Sequence, residues 1–495
     1  MATESWKLAG LISAAGLPAP DALPDRTITQ VTDDSRVVRP GALFVAVPGA
    51  AVDGHRFAAK AVERGAAAVI VEREAEIPEP AVAIRVPSTR EALAPLARAF
   101  WRDPSQRLRV IGVTGTKGKT TVAWAAQRLL EGAGLRCGLI GTVCHRLADG
   151  EHPSDNTTPG AVFLQENLAR MEQGGFQACA MEVSSHALDQ RRVDGIRWAC
   201  GLFTNFAPEH LDYHAMLEQY LGAKLRLFRS LPEGSLAVLN RDDPVYERAR
   251  KATRARVMTY GLKPGADLTA REIRGALDGT QFLLRTPAGE FPARTPLIGL
   301  HNVENLLAAV GAAMEAGLTA GQIAEGLAAF GGVPGRLERV ECGQPFPVFV
   351  DYAHTDGALR RVLEQLKSLD SRKILTVFGC GGDRDKTKRP RMGRAAAELS
   401  DRVIITSDNP RSEDPAAIAR EILAGANGGS ASTEVILDRR EAIRAALESA
   451  DKGWLVLIAG KGHEAAQIFA DRSVPFDDRA VVREILGTPV TTGSP

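Results

Sequence analysis

Residues 109–124 read RVIGVTGTKGKTTVAW. A β-branched run from Arg109 to Val113 ends in a glycine-broken turn, and Lys119-Thr120-Thr121 then opens a helix. A strand, a glycine-rich turn and a helix N-terminus in that order form a loop that wraps nucleotide phosphates. Backbone N–H groups around Gly115 to Lys119 turn toward the phosphate oxygens, and the positive end of the helix faces them. Lys119 supplies a full charge to the outer phosphates and Thr120 a hydroxyl to Mg²⁺. The widespread spacing G-x-x-x-x-G-K-[ST] would need glycine where this chain has Val113. Gly112, Gly115 and Gly118 make a different loop, which implies a nucleoside triphosphate and magnesium without naming the reaction.

The chain has 495 residues, too many for one ordinary domain, so two to four are expected. Charged residues make up 24%, the share of a soluble globular protein. A formal net charge of +1 gives no global field for nucleic acid or membrane, so neither is an expected partner and any anion must be met locally. The six cysteines (Cys137, Cys144, Cys179, Cys200, Cys342 and Cys380) contain no C-x-x-C pair and no metal-ligand spacing, which fits reduced thiols. The opening MATESWKLAGLISAAGLPAP lacks the basic start and apolar core of a signal peptide. No apolar run approaches the roughly 20 residues of a membrane span. A cytoplasmic protein is expected.

Around the phosphate loop the chain divides into three blocks. The first, residues 1 to 103, alternates apolar runs (ALFVAV, AAAVIVE) with the helix-like HRFAAKAVERGA, a small α/β domain. The polar connector WRDPSQRL leads into the second, residues 104 to 333. Its first helix places Val122, Ala125, Ala126, Leu129 and Leu130 on one apolar face. Strand candidates follow in CGLIGTV, ACAMEVS, CGLFTNF and SLAVLN, separated by helical stretches, the pattern of a mostly parallel, doubly wound α/β sheet. The helices of HNVENLLAAVGAAMEAG and TAGQIAEGLAAFGG close the block. The third, residues 334 to 495, has four strands (FPVFVDYA, KILTVFGCGG, RVIITSDN, WLVLIAGKG) that each end in polar or glycine-rich residues, where ligands bind in such sheets. The tail GTPVTTGSP is expected to fray.

In MEVSSHALDQRRV (181–193), Glu182 ends a buried-looking strand, where an acid needs a partner. A magnesium ion beside the phosphate loop fits, and so does a core arginine. Ser184, Gln190 and Arg192 follow on a loop suited to an anionic substrate. The stretch 204–228 brings His210, His214 and Lys224. Histidines of this kind are often surface or satisfied core residues. Lys224 lies in a helix between apolar neighbours, where a packed stem with its head in water is the ordinary outcome.

Together these motifs resemble the Mur ligases, ATP-dependent amide-forming enzymes of peptidoglycan synthesis. GTKGKTT resembles that family's phosphate loop, EVSSHAL its magnesium strand and HNVENLLAA its adenine-side helix; GRLE, DYAH and GCGGDRDKTKRP continue the match in order. The resemblance implies a central P-loop doubly wound sheet flanked by a small N-terminal α/β domain and a C-terminal Rossmann-like α/β domain. It implies ATP at Gly115, Thr116, Lys117, Gly118, Lys119, Thr120 and Thr121, with Asn302, Asn305, Arg336 and Asp351. It also implies that Lys224 is carbamylated by CO₂, so that an anion rather than an ammonium holds a second Mg²⁺ with His210. Lys119, Glu182, His210 and Lys224 would then be the catalytic set, and Thr120, Glu182, His210 and Lys224 the metal set.

The stretch 33–57 resembles the uridine-nucleotide domain of the family member that extends UDP-N-acetylmuramoyl-L-alanyl-D-glutamate. Asp33 and Ser35 would approach the uridine, with residues 50 to 52 alongside. Asn156, Thr157 and Thr158 of DNTTPG, with Ser184, Gln190 and Arg192, would contact the muramoyl peptide. The γ-phosphate of ATP would pass to the D-glutamate carboxylate, and an amine would displace it. No covalent enzyme intermediate is needed.

Family members add mainly meso-diaminopimelate or L-lysine, which differ by one carboxylate. DNPRSEDP (408–415) resembles the diaminopimelate form, with Asp408, Asn409, Pro410 and Arg411 joined by Arg384, Gly460 and Glu464. Arg411 can grip the extra carboxylate through two parallel hydrogen bonds. Glu464 is suited to an ammonium group. One departure stands in DYAHTDGAL (351–359): the family's proline after Thr355 is Asp356 and its aspartate is Gly357, so the helix start there is expected to be less rigid. The L-lysine-adding ligase is the nearest alternative. A folylpolyglutamate synthase would lack the 33–57 stretch and Arg411, and a non-catalytic nucleotide-binding regulator would lose Lys119, Glu182 or Lys224; all are present. A monomer is expected.

Overall fold

The strand Arg109–Thr114 runs through the middle of an eight-stranded sheet, with Val110, Ile111 and Val113 buried. The structure is a computed structural model and describes residues 4–18, 23–49, 52–210 and 213–487; Ala50, Ala51 and the tail from 488 lie outside it. The order across the sheet is Gly150–Pro153, Cys144–Leu147, Cys137–Ile140, Ala178–Glu182, Arg109–Thr114, Trp198–Phe203, Leu236–Asn240 and Arg256–Tyr260. The first two form an antiparallel hairpin at one edge, and the other strands run parallel. From Arg109–Thr114 the chain passes through helix Lys119–Gly132 to Cys137–Ile140, then returns to Ala178–Glu182 beside its start. Trp198–Phe203 then adds on the other side. The direction of winding therefore reverses at the carboxyl end of Arg109–Thr114, which is where such sheets open a ligand crevice.

Helix Lys119–Gly132 buries the expected Val122, Ala125, Ala126, Leu129 and Leu130, but also Ala123 and Trp124. Helix Ala320–Ala329 covers it, and at Gly326 a Cβ would come within 2.6 Å of Leu129. The stripe seen in the sequence is thus only part of a helix enclosed nearly all round. The strand Arg256–Tyr260, the edge hairpin and a three-stranded sheet (Thr269–Ala276, Gly279–Thr286, Gly289–Thr295) were not expected. Thr269–Ala276 carries charged residues on mostly exposed positions, so it shows no apolar run.

Ahead of this sheet, Gln30–Thr32, Ala42–Val45, Ala66–Val71 and Val82–Arg85 form a parallel four-stranded sheet. Helices Leu8–Ala14 and Thr89–Phe100 cover one face, and Ala58–Glu63 the other. The chain divides into two compact units, and the eight-stranded and four-stranded sheets belong to the first, with residues 1–272, 282–293 and 301–330.

The second unit takes residues 273–281, 294–300 and 331–495. Its sheet has the order Glu338–Arg339, Val348–Asp351, Trp454–Ala459, Lys373–Phe378, Arg402–Ile405 and Ser432–Val435, parallel except for the first short strand. The four strands expected here are all present. The helix after DYAH spans Asp356–Leu369 and is capped by Thr355, whose hydroxyl accepts from the Ala358 N–H at 3.3 Å. Asp356 in its first turn favours the positive helix end, so a cap and an acid hold a start that lacks the family's proline.

Gly112 interrupts the central strand because Trp198 lies across it: a Cβ there would sit 2.8 Å from the indole. Gly112→Val should lower the urea-unfolding free energy by about 2 kcal/mol, the scale of overpacking in a core.

Candidate active site

The phosphate loop leaves its strand at Gly115, whose φ of 144° suits glycine. A Cβ there would lie 1.9 Å from Thr204 Oγ1. Gly118 caps the helix with φ of 83°, and Asn305 Oδ1 stands 2.3 Å from where its Cβ would be. Asn305 in turn donates to Asn302 Oδ1 at 3.3 Å, so HNVENLLAA packs against the loop. Asn205 braces the loop from its other side, accepting from the Lys117 N–H at 2.9 Å and, by its carbonyl, from the Thr116 N–H at 2.8 Å. Lys119 folds back, its ammonium donating to the carbonyls of Thr116 (2.8 Å) and Gly115 (3.0 Å). Thr121 begins the helix half-buried.

Glu182 ends its strand buried beside this loop, and no arginine meets it among the described residues. Its carboxylate accepts from Thr120 Oγ1 at 2.9 Å and from the N–H of Thr142 at 2.7 Å. Thr142 Oγ1 also reaches Thr157 Oγ1 at 3.0 Å. At Gly141 a Cβ would fall 2.4 Å from Glu182 Oε1, so any other residue would close the space beside the carboxylate. Among the described residues no three His, Cys, Asp or Glu side chains gather to hold a metal alone. The hydroxyl and carboxylate here are hard oxygen donors, the kind magnesium accepts alongside water and phosphate.

The expected loop after Glu182 is a short helix, Ser185–Asp189, capped by Ser184, whose hydroxyl accepts from the Ala187 N–H at 3.1 Å. Thr158 links it to the strand, donating to the Glu182 carbonyl at 2.8 Å and accepting from the Ser184 N–H at 3.0 Å. Arg192 donates to the Thr158 carbonyl at 2.8 Å and to Gln190 Oε1 at 2.7 Å. Gln190 donates to the Tyr213 hydroxyl at 3.2 Å. Desolvation raises the Asp33 carboxyl, with the Arg192 guanidinium opposing, so the first sheet's loop faces this group. Ser35 is buried on that loop, while Asn156 is exposed and uses its carbonyl to accept from Ser154.

Lys224 does not reach water. It is 1% exposed and donates to the Gly115 carbonyl at 2.6 Å, with its ammonium 4.3 Å from the Tyr220 ring centre. Burial and the nearby Lys119 charge hold its amine well below the ordinary lysine range, opposed by Glu209. His210 stacks edge-on to the other side of this ring group, 5.8 Å from Tyr220 and 5.0 Å from His186, and has φ of 56°. His214 is buried in the same group, 5.2 Å from Tyr220.

In the second unit, Asp351 is buried and accepts from the N–H groups of Leu337 (2.6 Å) and Ala353 (2.7 Å). Desolvation raises its carboxyl, and Arg336 opposes this. Arg336 lies over the Tyr352 ring at 4.8 Å, and His463 stands 5.0 Å from that ring.

Arg411 has φ of 52°, a conformation rare outside glycine and frequent at functional sites. Its Nη1 donates to the Gly382 carbonyl at 2.9 Å, and among the described residues the Nε–Nη2 edge has no acceptor. The glycines of GCGG admit this approach: a Cβ at Gly382 would lie 1.9 Å from the Pro410 carbonyl, and one at Gly381 would lie 2.9 Å from Arg411 Nη1. Asn409 donates to Glu464 Oε2 at 2.7 Å. At Gly460, with φ of 110°, a Cβ would meet Asp408 Oδ2 at 2.7 Å. Arg384 is exposed on the neighbouring loop.

Three family models match in order: the Mur ligase family catalytic domain over residues 27–101, the Mur ligase middle domain over 113–313, and the Mur ligase glutamate ligase domain over 335–462. The chain is similar to the UDP-N-acetylmuramoyl-L-alanyl-D-glutamate--2,6-diaminopimelate ligase of Geobacillus thermodenitrificans strain NG80-2, 47% identical over 91% of this chain and 93% of the relative. A ligase of the same name from Solibacter usitatus strain Ellin6076 is 45% identical over 97% and 98%. The chain belongs to the Mur ligase family. A solved structure of a ligase bearing that name matches this Mur ligase with a TM-score of 0.73 and 34% identity over 97% of this chain and 99% of the other.

Several residues that shape this Mur ligase's site escaped the sequence reading. Thr142 and Tyr220 bear no motif and reach Glu182 and Lys224 only through the packing of distant strands and helices. Lys461 is fully buried and donates to Asn409 Oδ1 at 3.1 Å and Glu464 Oε2 at 3.3 Å, so the acid expected to meet an ammonium already has one beside it. Its place inside AGKGHE was the available signal.

Burial, reinforced by Arg336, pushes the His463 imidazole down to about 4 from an ordinary 6.5. The unfolded chain takes up a proton below pH 6.5 while the folded protein refuses it. This contribution to stability is complete above about pH 6.5 and is lost as the pH falls toward 4. Urea midpoints should decline across that window, and His463→Gln should make the decline shallower.

Proposed function

We propose that the chain joins meso-diaminopimelate to the D-glutamate of UDP-N-acetylmuramoyl-L-alanyl-D-glutamate at the expense of ATP, as a cytoplasmic step of peptidoglycan synthesis. The observation that carries the choice of amine is Arg411. One nitrogen is anchored on a backbone carbonyl, and the opposite edge, two parallel N–H groups, lacks a protein acceptor among the described residues. A carboxylate fits that edge in a bidentate pair. L-Lysine, which ends in an ammonium, would leave the guanidinium unmatched and add a like charge.

The chemistry follows from the groups in the first unit. The γ-phosphoryl group of ATP passes to the γ-carboxylate of D-glutamate, releasing ADP and leaving an acyl phosphate. The amine attacks that carbonyl, a tetrahedral intermediate collapses, and amide and phosphate result. Two anions must first approach each other, and Lys119 offsets their repulsion and the charge that grows in the transition state. Backbone N–H groups from Gly115 to Thr121 hold the phosphates, and Ser184, Gln190 and Arg192 meet the anionic peptide. Magnesium, held through Thr120 and Glu182 and through His210 with a carbamate on Lys224, would supply further positive charge to the phosphates. The depressed proton affinity of Lys224 favours that modification, because a neutral amine adds to CO₂ and releases a proton as the carbamate forms. Residues 1–103 serve the uridine nucleotide, 104–333 ATP and 334–495 the incoming amino acid.

Phosphate release from ATP with the UDP-linked dipeptide should proceed with meso-diaminopimelate and be far slower with L-lysine. Arg411→Ala should reduce kcat/KM for diaminopimelate by about 100-fold or more, the effect of removing one member of a hydrogen-bonded charge pair. Faster turnover with lysine would retain the ligase and overturn the role of Arg411.

Carbamylation has a direct readout. In ¹³C-bicarbonate the protein should show one carbamate carbonyl signal by NMR, absent from Lys224→Arg.

A further inference from the structure

The first unit holds a cavity of about 630 Å³ at the end of the central sheet opposite the phosphate loop. The amino ends of strands Arg109–Thr114, Ala178–Glu182 and Trp198–Phe203 form part of its wall. The carboxyl ends of helices Lys119–Gly132 and Leu300–Glu315 and the segments 105–108 and 232–235 add to it. Ile111, Leu130, Leu135 and Ala312 make an apolar lining, and Arg109 and Arg197 stand among the polar lining residues. This volume is ordinary for a small-molecule site, and its lining mixes apolar and polar residues in similar measure.

Among the described residues, the charge at this cavity is not balanced. Arg107 is paired with Glu172 at 2.8 Å, and Glu315 with Arg256 at 2.7 Å. Arg109 and Arg197 are exposed, and among the described residues neither side chain makes a hydrogen bond or an ion pair. Two helix carboxyl ends contribute about half a negative charge each. Two whole guanidinium charges outweigh them, so the opening is positive. A lining that joins apolar side chains to two arginines without a described partner accepts a ligand with an apolar part and an anionic part.

We propose that this cavity binds a small molecule with an apolar body and a single anionic group, at a site separate from ATP and both substrates. The probe is 8-anilinonaphthalene-1-sulfonate, two aromatic systems bearing one sulfonate, with uncharged N-phenyl-1-naphthylamine as comparator. Each is titrated into the full-length protein, and energy transfer from tryptophan is read, Trp198 being in the wall. The sulfonate should saturate one site, undisturbed by ATP with magnesium. Arg109→Gln combined with Arg197→Gln should weaken the sulfonate about tenfold or more, the scale of a charged hydrogen bond, and leave the neutral comparator within about twofold. Ala316→Phe, which puts a ring at the cavity wall, should weaken both. The proposal fails if the arginine pair leaves sulfonate affinity unchanged, weakens both compounds equally, or if ATP displaces the sulfonate. Unchanged affinity of both compounds for a folded Ala316→Phe would also overturn it. Should that variant not fold, the exposed arginine pair alone decides the outcome.

Discussion

Two ammonium groups converge on one carbonyl oxygen, that of Gly115, and the phosphate site is organised around that meeting. Lys224 approaches it at 2.6 Å and Lys119 at 3.0 Å. Like charges this close, with little water between them, disfavour each other. Lys119 sits half-buried at the helix start, while Lys224 is enclosed; burial lowers the proton affinity of Lys224 most, and the Lys119 charge adds to it. The geometry that permits this depends on a residue without a side chain, since Thr204 occupies the place of a Cβ at Gly115. One backbone position thereby shapes the phosphate loop and receives the ammonium of a lysine more than a hundred residues away.

The second unit relies on buried cations of a different kind. Arg389 pairs with Glu413 at 2.8 Å and also reaches the Gly381 carbonyl at 3.4 Å. Arg439 pairs with Asp478 at 2.7 Å while donating to the carbonyls of Ser407 and Ala459. Lys461 ties Asn409 to Glu464. Buried ion pairs add little net stability, because desolvation offsets the attraction. Their effect here is on position: each holds a loop at the carboxyl end of a strand, and together they fix the frame from which Arg411 projects. The left-handed backbone of Arg411 persists inside that frame, where a freely moving loop would relax it.

Much of this was readable in advance. The strand and helix on either side of the phosphate loop, the parallel strands of both large sheets and the helices of HNVENLLAA follow from short-range apolar patterning, and the structure contains them. Patterning failed where strands are exposed and charged, as in Thr269–Ala276, and where a helix is covered on its outer side, as with Lys119–Gly132. It also read the segment after Glu182 as a loop, although Ser184 is a capping residue followed by helix formers. Apolar spacing alone gave the lysine at 224 an ordinary reading with its head in water, whereas the resemblance put it at the phosphate site; its packing against Tyr220 and Gly115 leaves the head buried beside the loop.

The order of glycines, GKT, DYAH and DNPR along the chain is a local property, and it was sufficient to establish the class of enzyme and its alternation of strands and helices. Hydrogen-bond partners and protonation are not local. Thr142 reaches Glu182, Lys461 pairs with Glu464, and Arg411 keeps one edge without an acceptor among the described residues, because residues tens of positions apart are packed together. Burial and electrostatic potential sum over everything nearby in space, whatever its place in the chain, so the state of each functional group was decided only when the chain had folded.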